Sequence, residues 1–253
     1  MIRQIRSLLS YHGGRSQYLF IHIPKNGGVS ISRAKFLRGR VLRAHRHFHK
    51  SRQYSNEVLA VMKANGEHHG FEHARLRDIS TKVRSSHIAF AIVRNPWSRV
   101  VSRYTYARQA MESGESPPEY AADTFEGFLE ERHMWGDKEF YWHRAIRGWY
   151  PQLDYVTDED GVIVADILRN EHMTDEVSRY FGIEQRINRH NVSGGKRDYR
   201  EYYNARTIQI VADWYAADID QFGFDLDTPA TRNTYFANPD PVRSNHAETF
   251  YKR

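Results

Sequence analysis

Residues 24–30 read Pro-Lys-Asn-Gly-Gly-Val-Ser, between an apolar run and a helical pattern. A loop so placed can hold an anion, because the first turn of a helix offers unpaired N–H groups and a partial positive charge. Gly27 and Gly28 let the backbone come close to a ligand. Lys25 adds a full charge at the loop's entry, Ser30 adds a hydroxyl, and Asn26 and Val29 complete the stretch. The order is not that of a nucleotide hydrolase, whose lysine stands directly before the closing Ser or Thr. Val29 occupies that place here, and the lysine precedes the glycines.

A second group lies some seventy residues on, in Ala-Ile-Val-Arg94-Asn-Pro. Nucleotide hydrolases end a strand beside their loop in an acidic magnesium ligand. An arginine in that place repels a metal and attracts phosphate. Ser98 and Ser102 share a helix face by their i, i+4 spacing, so Arg94 and Ser102 make a second anion clamp, and Arg99 and Arg103 add positive charge. Acid–base candidates crowd "GEHHGFEHARLRDI": Glu67, His68, His69, Glu72 and His73. His45, His47 and His49 would share one face of an extended segment. With arginine and lysine between them and no acidic or cysteine partner nearby, they read as a plain solvated loop, or as a basic rim facing an anionic acceptor, rather than a zinc site. Trp135, Tyr141, Trp142, Trp149 and Tyr150 are either core or a wall on which a sugar could stack.

The elements that must carry these residues alternate strand and helix, the pattern of a mostly parallel sheet covered on both faces. Apolar runs at 18–23, 87–93 and 162–168 read as buried parallel strands. Helices are expected after Gly28, over 55–66, from Asn95 onward with Pro96 in the first turn, over 124–133, over 174–182 and from Asn204 to Gly223. Trp97, Val100, Val101 and Tyr104 form an amphipathic stripe at i, i+3, i+4 and i+7. Residues 1–228 read as one domain. Residues 229–253 lack periodicity and read as an extended arm or tail.

The chain has 253 residues, with 37 Lys and Arg against 31 Asp and Glu, a formal charge of +6. That balance favours anionic partners. It has no cysteine, which excludes a disulfide framework and points to a reducing cytoplasm. The basic start has too short an apolar stretch for a secretion signal, and no run is long enough to span a bilayer. The Asn-Val-Ser at 191–193 is a formal glycosylation sequon without an export signal to give it meaning.

"FIHIPKNGGVS" and "FAIVRNPWSRVVSRY", in that order and spacing, resemble the two nucleotide-binding signatures of sulfotransferases that use 3′-phosphoadenosine 5′-phosphosulfate (PAPS), in particular the carbohydrate branch. The stretches 149–183 and 190–224 are similar to later parts of the same family. The resemblance implies a three-layer α/β/α fold related to the phosphate-loop kinases, working without a metal. It implies that Lys25, Asn26, Gly27, Gly28, Val29 and Ser30 hold the 5′-phosphosulfate, with Lys25 stabilising the bridging oxygen. Arg94 and Ser102 would then hold the 3′-phosphate, joined by Lys196 or Arg197 from "GGKR". A histidine or glutamate takes the acceptor's proton in that family, and His73 matches a recurring position. The implied product is PAP (adenosine 3′,5′-bisphosphate), and the implied partner a carbohydrate or glycolipid acceptor, reached with at most peripheral membrane contact and without nucleic acid. The rivals are a nucleotide-dependent small-molecule kinase and a non-catalytic basic module for glycan or nucleic acid.

Overall fold

Four short strands, β1 (Tyr18–Ile21), β2 (Val41–Arg43), β3 (Ile88–Val93) and β4 (Asp166–Arg169), pair in the order β2-β1-β3-β4, all parallel. They belong to a computed structural model that describes residues 8–115, 122–135, 142–188 and 197–236. Side chains alternate across the strands. Leu19, Ile21, Ala89, Ala91, Val93 and Ile167 enter one core, and Phe20, Phe90, Ile92 and Leu168 enter the other. Both faces are therefore buried, which is why β1 and β3 read as unbroken apolar runs.

The principal helices are α1 (Gly28–Arg33), α2 (Arg52–Ala64), α3 (Pro96–Glu112), α4 (Phe125–Glu130), α5 (Leu153–Val156), α6 (Met173–Phe181), α7 (Ala205–Trp214) and α8 (Ala216–Phe222). α1 and α6 cover the second face through Ile31, Met173, Val177 and Phe181. The first face is covered by α2, α3, α4 and α7, among others, through Val58, Met62, Trp97, Val100, Phe128 and Val211. The expected three-layer α/β/α architecture is present. All four residues of the stripe on α3 are buried, and Asn95 accepts from the Ser98 N–H as its N-cap.

Several elements differ from the sequence expectation. The strand expected over 162–168 pairs with β3 only from Asp166. Val162 and Val164 are 56% and 45% exposed, because the chain first turns back in a bridge between Thr157 and Ile163. β2 was not foreseen, being three residues with Arg43 at one end. The helix after Asn204 is two helices, broken where Tyr215 takes φ −114° and ψ 24° and buries its ring. Of the expected tail, residues 229–236 lie against the fold. Ala230 is buried, the Tyr235 N–H donates to the Ile167 carbonyl at 2.9 Å, and Tyr235 meets the Tyr180 ring edge-on at 5.0 Å. The rest of the tail lies outside the described residues. Among those residues, no helix is long and apolar enough to cross a membrane.

Candidate active site

Because the strands are parallel, their C-terminal ends share one edge of the sheet, where open α/β folds place ligands. β1 leads there into the loop 24–27, β3 into Arg94, and β4 into Asn170 and Glu171. Backbone pairing between β1 and β3 stops at Ile21 and Ala91, and beyond it the two chains are linked through side chains, with Asn26 Nδ2 on the Ile92 carbonyl.

Two glycines shape the loop for physical reasons that can be read off their neighbours. Gly27 has φ +83°, in the left-handed region that disfavours a side chain. A Cβ there would also stand 2.8 Å from Asn170 Nδ2 and 2.9 Å from Met173 Sδ. At Gly28 a Cβ would fall 1.8 Å from the His22 ring, so that buried ring rests on the glycine. Lys25 itself has φ +70°, an uncommon conformation for a residue with a side chain and one associated with functional sites. The Arg94 guanidinium holds it, donating from Nη1 to the Lys25 carbonyl at 3.2 Å and from Nε to Ser98 Oγ at 2.9 Å. Arg99, fully buried on α3, donates from Nε to the Pro24 carbonyl at 3.2 Å and from Nη1 to the Tyr150 carbonyl at 2.8 Å.

The Lys25 ammonium lies 4.0 Å above the Tyr106 ring, whose hydroxyl accepts from Arg144 at 3.4 Å. Burial, then the charges of Arg94, Arg103 and Arg144, lower the Lys25 pKa to about 7. The site is thus a concentration of positive charge that one of its own members relieves by giving up a proton, and an anion would reverse that. Ser102 is buried on the Ser98 side of α3. Ser30 is buried in α1, its N–H donating to the Gly27 carbonyl at 2.9 Å. Asn26 turns its side chain inward, Nδ2 donating to the Ile92 carbonyl at 2.8 Å and to Gln152 Oε1 at 2.6 Å.

His73 comes next to the loop. Its ring centroid is 4.2 Å from that of His22, and its Nδ1 is 2.8 Å from the His22 carbonyl. A carbonyl can only accept, so Nδ1 carries the hydrogen and Nε2 the lone pair. Burial first, then the Arg147 charge, lower its pKa to about 4, so it is neutral at pH 7 and able to accept a proton. The other candidates have different duties. Glu67 is held by the Arg144 N–H and by His143 Nδ1. His68 and His69 accept from the N–H groups of Gly70 and Phe71 at 3.2 and 3.4 Å through Nδ1. Among the described residues, His68, His69 and Glu72 have ligand atoms within 4.8 Å of one another. A neutral histidine that accepts through Nδ1 carries its hydrogen on Nε2, so a cation would have to break those two bonds first.

His45, His47 and His49 form neither the solvated loop nor the basic rim that the sequence left open. A short turn at Arg46–Phe48 buries His45 and His49, leaving only His47 exposed. Burial lowers the pKa of both buried rings to about 4, so both are neutral at pH 7. Trp142 and Trp149 are core residues, and the Trp142 indole N–H donates to the Tyr54 hydroxyl at 2.6 Å. Tyr150 is half-buried. Lys196 and Tyr141, and the side chain of Trp135, lie outside the described residues. Arg197 is exposed and tied to Glu201, with Nη2 on its carbonyl at 2.6 Å and the guanidinium 4.7 Å from the Tyr202 ring. Sequence reasoning missed His22, Tyr106 and Gln152 around the loop, and read Arg99 only as positive charge on the helix, where it in fact holds the Pro24 and Tyr150 carbonyls. His22 alone had a local signal, three residues before Lys25 in the same motif.

A glycine-containing loop at the end of one parallel strand, with an arginine just past the end of the strand beside it, is the arrangement of a phosphate-loop-like α/β protein. A model of the Sulfotransferase family matches residues 13–225, and the chain belongs to that family. No curated protein and no solved structure matches it.

Proposed function

We propose that this sulfotransferase moves a sulfuryl group from PAPS to a hydroxyl of a carbohydrate or glycoconjugate, by in-line displacement without a metal. The observation that carries this reading is the junction of Lys25 and Arg94, in which the arginine holds the loop carbonyl at 3.2 Å from the place a metal-using relative gives to a carboxylate. The donor set fits the nucleotide: loop N–H groups and Lys25 for the 5′ end, Arg94 and Ser102 for the 3′-phosphate.

PAPS supplies the activated sulfuryl group. Lys25, once protonated, stabilises the charge that grows on the bridging phosphate oxygen. His73 Nε2 takes the acceptor hydroxyl's proton, and its Nδ1–H to the His22 carbonyl keeps that tautomer in place. Arg99 and Arg94 hold the backbone on either side of Lys25. Arg197 joins the nucleotide only by leaving Glu201, and Lys196 is proposed with it as the closing segment. The carbohydrate class rests on the likeness of the two nucleotide motifs to that branch. A cysteine-free chain suits a reducing compartment such as the cytoplasm.

The test is transfer of labelled sulfate from PAPS in EDTA, offered in parallel to polysaccharide, glycolipid and phenolic acceptors. Label on a polysaccharide or glycolipid supports the reading. Label on phenols alone overturns the acceptor class, and transfer only with added Mg²⁺ overturns the metal-free mechanism.

A further inference from the structure

Gln152 and Asp218 lie outside both nucleotide motifs, yet they join them. Both residues are 0% exposed. Gln152 Oε1 accepts from the Arg94 N–H at 2.8 Å, and Nε2 donates to the Arg94 carbonyl at 2.8 Å. The primary amide thus pairs with both backbone groups of one residue, as a neighbouring strand would. The same Oε1 accepts from Asn26 Nδ2 of the loop at 2.6 Å. This happens just past Ile21 and Ala91, where β1 and β3 cease to pair, so side chains take over the spacing of the two backbones, with Gln152 beside the direct bonds of Asn26 to the Ile92 carbonyl and of Arg94 to the Lys25 carbonyl.

Asp218, on α8, orients that amide. Its Oδ2 accepts from the Gln152 backbone N–H at 2.8 Å and from Nε2 at 3.3 Å. Its Oδ1 accepts from the Leu153 N–H at 2.9 Å, and so also satisfies open donors at the start of α5. Every polar atom of the Gln152 side chain therefore has a partner, and every partner is either in a nucleotide loop or in the residue that aims it. A buried amide in a fully satisfied network has one orientation and resists displacement.

We propose that Gln152 is a positioning residue that sets the separation between the 5′-phosphosulfate loop and the 3′-phosphate arginine, with Asp218 fixing its orientation. The proposal rests on the PAPS reading above. Its consequence is that the two phosphates of one nucleotide bind as a pair: once either is seated, the other clamp stands at the matching distance, and the second contact is effectively intramolecular. Without the strut each clamp still binds its own phosphate, and the advantage of carrying both is lost.

The experiment measures affinities of PAP, 3′-AMP and 5′-AMP by calorimetry for the wild type, Gln152→Met and Asp218→Asn, with thermal melts alongside. Expected for Gln152→Met is a fall of roughly tenfold or more in PAP affinity, while each monophosphate changes by less than about threefold. Asp218→Asn, which keeps the shape but leaves one acceptor oxygen for the three donors that Asp218 now serves, should show the same selective loss and covers the case in which Gln152→Met does not fold. A uniform weakening of all three ligands would mean a merely structural part and would overturn the proposal, as would PAP affinity unchanged in both variants. A wild type that does not prefer PAP to 5′-AMP would overturn the PAPS reading itself. A wild-type preference that survives in both variants overturns only the role of Gln152.

Discussion

Replacing Lys25 with Met tests whether the lysine is a proton acceptor waiting for an anion. The ordinary lysine pKa of 10.5 falls to about 7 in the folded protein, through burial and then through Arg94, Arg103 and Arg144. At pH 8 a group of pKa near 7 is neutral in about nine chains of ten, and at pH 6 in about one of ten. A bound nucleotide places negative charge among the same arginines and raises the lysine pKa again. Binding at pH 8 should therefore take up close to one proton, about 0.9, and binding at pH 6 about 0.1. The sign for affinity follows: the bound state holds more protons above pH 7, so PAP affinity is flat below about 7 and falls by up to about tenfold per pH unit above it. Calorimetry in buffers of different ionisation enthalpy counts the protons. Lys25→Met keeps the chain length without the amine. Protons exchanged by the nucleotide's own phosphates are common to both proteins and cancel in the difference. Equal uptake by wild type and Lys25→Met at pH 8 would refute the reasoning.

Three further outcomes follow from the same site. His73→Ala should lower turnover roughly 10²-fold or more with PAP affinity nearly unchanged, and near-normal turnover would remove His73 from the mechanism. Gly28→Ala drives a methyl into the His22 ring, which Phe20 and His73 hold from other sides at 5.4 and 4.2 Å. Overpacking of that kind costs about 1–3 kcal/mol, or roughly 2–10 °C in melting temperature, and Gly28→Ala combined with His22→Ala should recover most of it. Tyr106→Leu removes the ring under the Lys25 ammonium and should shift the alkaline limb of kcat/KM down by about half a pH unit, while Tyr106→Phe leaves it in place; equal profiles for the two variants would exclude the ring's influence.

What was legible in the chain, and what was not, follows from how far each signal extends. β1, β3 and α3 could be read because their burial is imprinted on consecutive residues, and Lys25 and Arg94 because each sits at the end of such a run. β2 escaped because three residues with Arg43 among them carry no period. The run at 162–168 misled because Val162 and Val164 belong to a solvent-facing turn, while the paired strand begins at a charged residue, Asp166. His45 and His49 read as solvated or as part of a basic rim because polarity alone does not show that a turn will bury them. Gln152 could not be recognised, since its amide acts on Arg94, 58 residues away, and takes its orientation from Asp218, 66 residues away. Such a partner leaves no pattern beside it in the sequence.

The claim on which the rest depends is that the site at Lys25 and Arg94 accepts a 3′-phosphorylated nucleotide without a metal. Titrating PAP, ADP and ATP into the protein, in EDTA and then in Mg²⁺, tests it directly. PAP is expected to bind most tightly, EDTA not to weaken it, and Arg94→Ala to remove the advantage over ADP while the protein stays folded. Preference for ATP that appears only with Mg²⁺ would contradict it.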